Sequence, residues 1–425
     1  MTGHPAAQAD RPPLASPGAP ASPGAPAAAA PPLLGLRVLD LTRMLPGGYA
    51  SMMLADLGAD VVKVEDRQGG DPTRYMPPLA TTGQSGGHLA LDRGKRSITA
   101  DLKHPEGRAL VAGLAVDSDV VLESFRPGVL DRLGLGWGAL SARNPRLILV
   151  SITAYGQEGP YAGRPAHDLN VQALSGALSL GRGPASGDSS GEAGPATPYL
   201  QVGDLSAGMQ AVVAALAALR VRDATGVGQH CDVAMLDGVA SLLTLAAGAA
   251  GVSGEAPSPV DHLTGALACY GTYRCADGKY LAVGALEPKF FARICVLIER
   301  EDLIDLQYVP DRQGELRAAL AGVFGGDTRD AWARLLAAED TCVTPVLDVA
   351  EFFADEQARA RGLVEDVTLA DGSTFTRVGA VPRLPGSPAV AGRDAPGLGA
   401  DLDEVAGRCG LDAAQLRKLR DGGAV

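Results

Sequence analysis

The stretch that most limits the fold is "LRVLDLT" (36–42), "PGGYASMMLADLGA" (46–59) and "DVVKVE" (60–65). It reads as an apolar strand, a turn into a helix, and a second apolar strand. Strand, helix and strand at this spacing form a βαβ unit, whose two strands run parallel. A parallel pair is buried on both faces, so the rest of the chain has to supply further strands and covering helices.

The alternation continues. "SITADL" (97–102) reads as a strand, "PEGRALVAGLAVD" (105–117) as a helix, "DVVLES" (119–124) as a strand, and "RLILVSITAYG" (146–156) as a buried strand. This pattern predicts an α/β fold, a Rossmann-like doubly wound parallel sheet over residues 34–229. Residues 182–197, rich in Gly, Ser and Pro, read as a loop. "GDLSAGMQAVVAALAALRVR" (203–222) reads as a long Ala-rich helix that begins at or just after Asp204, a residue suited to an N-cap. The texture then changes. "GTYRCADGKYLAVGA" (271–285) is a hairpin with an Asp-Gly turn, and "PKFFARICVLIE" and "RDAWARLLAAE" are helical, so 230–355 reads as a smaller α+β domain. The chain becomes loop-rich from about 361 and ends in the short helix "DAAQLRKLRD". Residues 1–33 are Pro/Ala-rich and of low complexity, and are expected to be a disordered tail without signal-peptide character.

Composition excludes several functions. With 37 basic and 49 acidic residues the net charge is −12, which leaves no general basic footprint for nucleic acid. The six cysteines, at 231, 269, 275, 295, 342 and 409, form no CxxC, so neither a metal site nor a disulfide framework is expected. The longest uncharged run, 238–254, contains Gly and Ser and falls short of the ~18 apolar residues of a spanning helix. A buried helix is expected there, in a soluble, cytoplasmic protein without a membrane partner.

Glu65 ends the second strand, where a dinucleotide-binding protein would hold a ribose. The preceding turn is "MLPGGYA", not G-x-G-x-x-G, so a nicotinamide cofactor is not expected. Three acid–base residues fall near turns: His167, Asp204 and Glu287. Each has a plain alternative: a hydrogen-bonded loop pair with Asp168, a helix cap, and a first-turn carboxylate on a helix dipole. A basic set, Arg93, Lys95, Arg96, Lys103, Arg126 and Arg132, falls at strand ends and loop starts. It reads either as a solvated face or as a site for phosphate groups, to which Arg and Lys give charge-assisted donors.

Seven segments in order carry a resemblance: "GLRVLDLTRMLPGGYASMMLADLGADVVKVE", "GKRSITADLK", "FRPGVLDRLGLG", "AHDLNVQALSG", "TGVGQHCDVAMLDG", "AVGALEPKFF" and "DTCVTPVLD". Over roughly 34–360 the chain resembles the family III CoA-transferases, or CaiB/BaiF proteins, and most of all their α-methylacyl-CoA racemase branch. The resemblance implies an interlocked homodimer. Its large Rossmann-like, CoA-binding domain is completed by the C-terminal return, here 356–425, and its active site lies between the large domain of one subunit and the small domain of the other. It implies an acyl-CoA thioester as substrate, with no cofactor beyond the coenzyme A that the substrate carries.

By the same resemblance His167 and Asp204 are catalytic, and Glu287 supports His167. CoA contacts fall on Arg67, Ala100, Asp101, Leu102, Lys103, Arg126, Arg132, Ala166, Asp168, Leu169, Asn170 and Val171. Ala166 and Val171 depart from the racemase pattern, where Gly and Tyr are usual. The loop between His167 and Asp204 is long for a racemase, Asp66 stands where an Arg is usual, with Arg67 one place late, and 69–97 looks more like the transferase branch.

The expected reaction is epimerisation of a 2-methylacyl-CoA. Two bases, His167 and Asp204, act on opposite faces of the α-carbon, and backbone N–H groups near Asp168 receive the enolate oxygen. The alternative is CoA transfer through Asp204 as nucleophile, by way of an aspartyl-CoA thioester. A non-catalytic CoA-thioester-binding protein is the third reading.

Overall fold

A computed structural model describes residues 30–184, 193–257, 263–387 and 393–425. The opening unit forms as expected: β1 (Arg37–Leu41), α1 (Met44–Asp56) and β2 (Asp60–Glu65), with β1 and β2 parallel. The alternation then runs through β3 (Arg96–Thr99), α2 (Pro105–Asp117), β4 (Val120–Glu123) and β5 (Ile148–Thr153). Next come α3 (Asp168–Ser175), α4 (Val202–Thr225) and β6 (His230–Ala234). The six strands lie in the order β3-β2-β1-β4-β5-β6, all parallel. The order reverses between β1 and β4. In such sheets ligands bind in the crevice outside the carboxyl ends of the strands at this point.

Alternate strand residues feed two cores, as the two-residue period of a strand requires. Val38, Val61, Val120 and Ile148 face α1 and α4, and Leu39, Val62, Val121 and Leu149 face α2 and the C-terminal helices. Helices α1 and α4 pack closely because Gly208 has no side chain. A Cβ there would lie 2.7 Å from the Pro46 carbonyl.

After β6 come α5 (Met235–Leu242) and α6 (Thr244–Ser253), bent by 67° at Leu243. The single buried helix expected over 238–254 is therefore two helices, and α6 has no buried residue. Composition registers that a segment is apolar, not that its own chain covers it. The smaller antiparallel sheet, in the order β9-β8-β7, comprises β7 (Tyr270–Arg274), β8 (Tyr280–Gly284) and β9 (Val343–Pro345). Its Asp-Gly turn puts Gly278 at φ 81°, a conformation glycine adopts freely. Helix α7 (Pro288–Leu297) presses Phe291, Ile294 and Cys295 into this unit's separate core. The chain returns through α8 (Leu402–Arg408) and α9 (Ala413–Asp421), which pack Leu402, Val405, Leu416 and Leu419 against Ile98 and Leu110.

Several boundaries move. Residues 230–234, expected in the smaller domain, form the sixth strand of the large sheet, because His230–Ala234 pairs with Leu149–Thr153. The strand expected over 97–102 stops at Thr99, and the Asp101 N–H instead bonds the Ala424 carbonyl. Of the expected tail, 1–29 lies outside the described residues, and Leu33 is tied by its N–H to Leu57. The ends of the 182–197 loop pair as an antiparallel ribbon, Arg182–Pro184 with Ala193–Pro195, and 185–192 lies outside the described residues.

Candidate active site

Asp204 is the third residue of α4, not its cap; the N-cap is Gln201. Capping falls to Asp168, the first residue of α3. Its Oδ1 accepts the N–H of Gly203 at 2.7 Å and of Asp204 at 3.3 Å, while Oδ2 accepts Gln172 Nε2 at 2.6 Å. A carboxylate at a helix N-terminus satisfies orphan N–H groups and complements the helix dipole. It also sets a negative charge beside Asp204. Burial first and Asp168 second push the Asp204 carboxyl up to about 6, and the nearby His167 pulls it partly back. A carboxyl near 6 both accepts and donates protons close to neutral pH.

His167 occupies the N-cap position of α3, with its side chain exposed and its N–H bonded to Asn170 Oδ1 at 3.0 Å. His167, Asp168 and Asp204 thus converge where α3 and α4 begin. Glu287 does not join them within the chain. It is the exposed N-cap of α7, on the core of the smaller sheet, and among the described residues no hydrogen bond or ion pair links it to His167.

A cleft of about 280 Å³ opens at the carboxyl ends of β1, β2, β3 and β4, at the strand-order reversal. Ala100, Asp101, Leu102 and Lys103 line it, as do Thr42, Arg43, Gly70, Asp71 and Phe125, which sequence reasoning passed over. The strand ends were the available signal, since each of these residues lies just beyond one or in the loop that follows. Glu65 also lines the cleft, but both its oxygens are taken. Oε1 accepts Arg74 Nη2 and Ser97 Oγ, each at 2.6 Å, and Oε2 accepts Arg74 Nε at 2.7 Å and Asp71 N at 3.0 Å. No acceptor is left for a ribose.

The basic set divides. Arg93 is buried against Asp56, Lys95 against Asp92 and Asp40, and Arg96 pairs with Asp60 and Glu404. Lys103, Arg126 and Arg132 form no ion pair among the described residues, and neither does Arg43. Arg126 lines a second, smaller cleft of about 120 Å³ beyond β4. Arg67 is engaged by the chain's own end: Nε donates to Val425 at 2.8 Å and Nη1 to the Gly423 carbonyl at 2.6 Å. On α3, Leu169 is exposed, Ala166 packs beside the core before the helix, and Val171 is fully buried in the core against Gly203.

The profile of CoA-transferase family III matches residues 33–402. The chain is 32% identical over 404 residues to the succinyl-CoA–L-malate CoA-transferase beta subunit of Chloroflexus aurantiacus, covering 92% of this chain and 98% of that one. It is 37% identical over 334 residues to the alpha-methylacyl-CoA racemase of Homo sapiens, covering 78% of this chain and 81% of that one. Among solved structures, a CAIB/BAIF family protein from Brucella suis superposes with a TM-score of 0.79 at 32% identity, over 90% of this chain and all of that one.

Proposed function

The chain belongs to CoA-transferase family III, and on that premise we propose that it epimerises a 2-methylacyl-CoA thioester by moving the α-proton through an enolate. The observation that carries this reading is the meeting of two helix starts, where Asp168, after His167, accepts the N–H groups of Gly203 and Asp204. The Asp204 carboxyl is raised there to about 6, with His167 close enough to act on it electrostatically. A thioester α-proton is weakly acidic, so its removal needs a placed base whose pKa lies near the working pH. One of His167 and Asp204 takes the proton from one face of the α-carbon. The other delivers its own proton to the opposite face, and the thioester is otherwise unchanged.

The enolate oxygen needs donors fixed in advance. The N–H groups of Asp168 and Leu169 open α3 without a partner among the described residues. Lys103 and Arg43 line the cleft, Arg126 lines the smaller one and Arg132 follows β4 nearby; none forms an ion pair among the described residues, and these cations would take the CoA phosphates. Binding that remote end positions the α-carbon. Glu287 meets His167 from a second copy of the chain, in an interlocked homodimer. The uncovered apolar face of α6, with Leu245 and Val252 outward, supports that assembly.

CoA transfer is the second reading, supported by the full-length transferase relative. Here the Asp204 carboxylate attacks the thioester carbonyl and displaces CoA thiolate, leaving a mixed anhydride. The thiolate attacks the aspartyl carbonyl, releasing the first carboxylate and forming aspartyl-CoA. An acceptor carboxylate then takes the CoA by the reverse steps.

Incubation with a (2R)-2-methylacyl-CoA in D₂O, without an acceptor acid, separates the readings. Deuterium incorporation with epimerisation, lost in His167→Ala and in Asp204→Ala, supports the racemase. No exchange, with CoA passing to an added carboxylic acid through Asp204 and surviving His167→Ala, overturns it in favour of transfer.

A further inference from the structure

The turn Thr42–Arg43–Met44 follows β1 and runs from the cleft wall into α1, which packs on the helix that carries Asp204. Thr42 and Arg43 line the cleft. Two residues after Met44, the Pro46 carbonyl presses against Gly208, which lies one helical turn after Asp204 on the same stripe of α4. On the proposed acyl-CoA reading, a thioester with its CoA end in the cleft crosses this turn on its way to Asp204.

The turn is held in an unusual shape. Met44 has φ 65°, in the left-handed region that non-glycine residues seldom occupy. Its N–H donates to Asp71 Oδ2 at 3.0 Å, and Lys63 Nζ lies 3.0 Å from the same oxygen. Asp71 Oδ1 accepts the N–H and the hydroxyl of Thr73, both at 2.9 Å. Lys63 Nζ also reaches the Thr42 carbonyl at 3.3 Å. Both side chains are almost wholly buried, Lys63 at 1% exposure and Asp71 at 2%. One buried ion pair thus grips the turn twice, at the carbonyl of Thr42 and at the N–H of Met44.

Burial alone would discharge both groups. Asp40, Asp92 and Asp71 instead hold Lys63 above the usual lysine value, and Lys63 and the Thr73 N–H hold Asp71 below the usual carboxylate range. A fully paired buried network of this kind fixes geometry.

We propose that Asp71, backed by Lys63, is a positioning residue for the reaction: it locks Met44 in the left-handed conformation and so sets the path of the thioester toward Asp204. This rests on the acyl-CoA reading of the site. Asp71→Asn is the informative change, because an amide offers one acceptor oxygen. That oxygen faces either Met44 or Thr73, not both, and the anion against Lys63 is lost. Asp71 itself lines the cleft but is only 2% exposed, so the change alters one buried atom of the wall and leaves Lys103 and Ala100–Leu102 in place.

The expected result is a fall in kcat of about tenfold or more with KM for a (2R)-2-methylacyl-CoA within about twofold, the signature of lost alignment rather than lost ground-state binding. Glycine adopts φ near 65° without a lock. Met44→Gly added to Asp71→Asn is therefore expected to restore most of the lost kcat while leaving the thermal midpoint no higher than in Asp71→Asn. Rescue of that kind is not expected if Asp71 merely stabilises the fold. An unchanged kcat in Asp71→Asn, or a double variant no more active than the single one, overturns the proposal while leaving the acyl-CoA reading in place. If the unaltered protein shows neither α-proton exchange nor CoA transfer, both the proposal and the acyl-CoA reading are overturned.

Discussion

The carboxylate of Asp168 caps the helix that carries Asp204, and by the same contact it raises the proton affinity of Asp204. One oxygen accepts the N–H groups of Gly203 and Asp204, and its negative charge stands second only to burial in pushing the Asp204 carboxyl up to about 6. If the ionised form of Asp204 is the working base, activity rises with pH through about 6 in the free enzyme. Asp168→Asn keeps an oxygen for the cap and removes the charge. The kcat/KM profile of that variant should have its acidic limb at lower pH, while Asp168→Ala, which removes the cap as well, should also lower the thermal midpoint. An acidic limb that stays in place in Asp168→Asn would separate the limb from Asp204.

The same shift has a consequence for stability. The folded chain holds the Asp204 proton more tightly than the unfolded chain, so between the ordinary aspartate value of 3.8 and about 6 the folded state binds more protons. Stability from this group is complete below the lower value and is lost as pH rises through the upper one. Asp204→Asn should therefore abolish activity yet raise the thermal midpoint at pH 8, with the gain shrinking toward pH 4. Thermal melts of both proteins across that range check it. A lower midpoint for Asp204→Asn at pH 8 would mean that the carboxylate is stabilised by contacts beyond these.

Lys103 and Arg74 both stand near the cleft and should behave in opposite ways. Lys103 is a cation in its wall without an ion pair among the described residues. Lys103→Ala should raise KM for an acyl-CoA by about tenfold or more, the worth of one charge-assisted bond, with little change in kcat and a smaller effect at high salt. Arg74 instead clamps the buried Glu65 through two bonds, at 2.6 and 2.7 Å. Arg74→Ala strands that carboxylate, a loss of about 3–5 kcal/mol. Denaturant melts should show that loss directly, and a melt unchanged from the parent would mean that Ser97 and Asp71 suffice to hold Glu65.

What was legible in the sequence follows the range of the interaction concerned. The β1–α1–β2 unit reads directly, because a two-residue strand period and a helix between apolar runs are local facts. Asp204 reads as lying at a helix start for the same reason. Its capping partner does not, because Asp168 is 36 positions away. The basic set misleads in the same fashion. Arg93 and Arg96 look like free cations in sequence, and their partners Asp56 and Asp60 come from the end of α1 and the start of β2. A charge shows its sign in sequence but not its partner. The lock on Met44 is the extreme case: nothing local in "TRMLPGG" marks the left-handed residue, whose anchor lies 27 positions on.

Glu287 gives the test of how the site is assembled. In one chain it is not bonded to His167, and it stands on the smaller sheet's core while His167 and Asp204 stand beside the large one. If Glu287 serves the His167 of a second copy, each site of a dimer draws one residue from each chain. Co-expression of His167→Ala with Glu287→Ala then yields mixed dimers with one doubly altered site and one intact site. Separately tagged chains allow the mixed species to be purified, and its turnover should approach half that of the parent, although each variant alone is impaired. Were both residues to act within one chain, every site in the mixed dimer would carry a single defect, and its activity would be no better than the mean of the two variants.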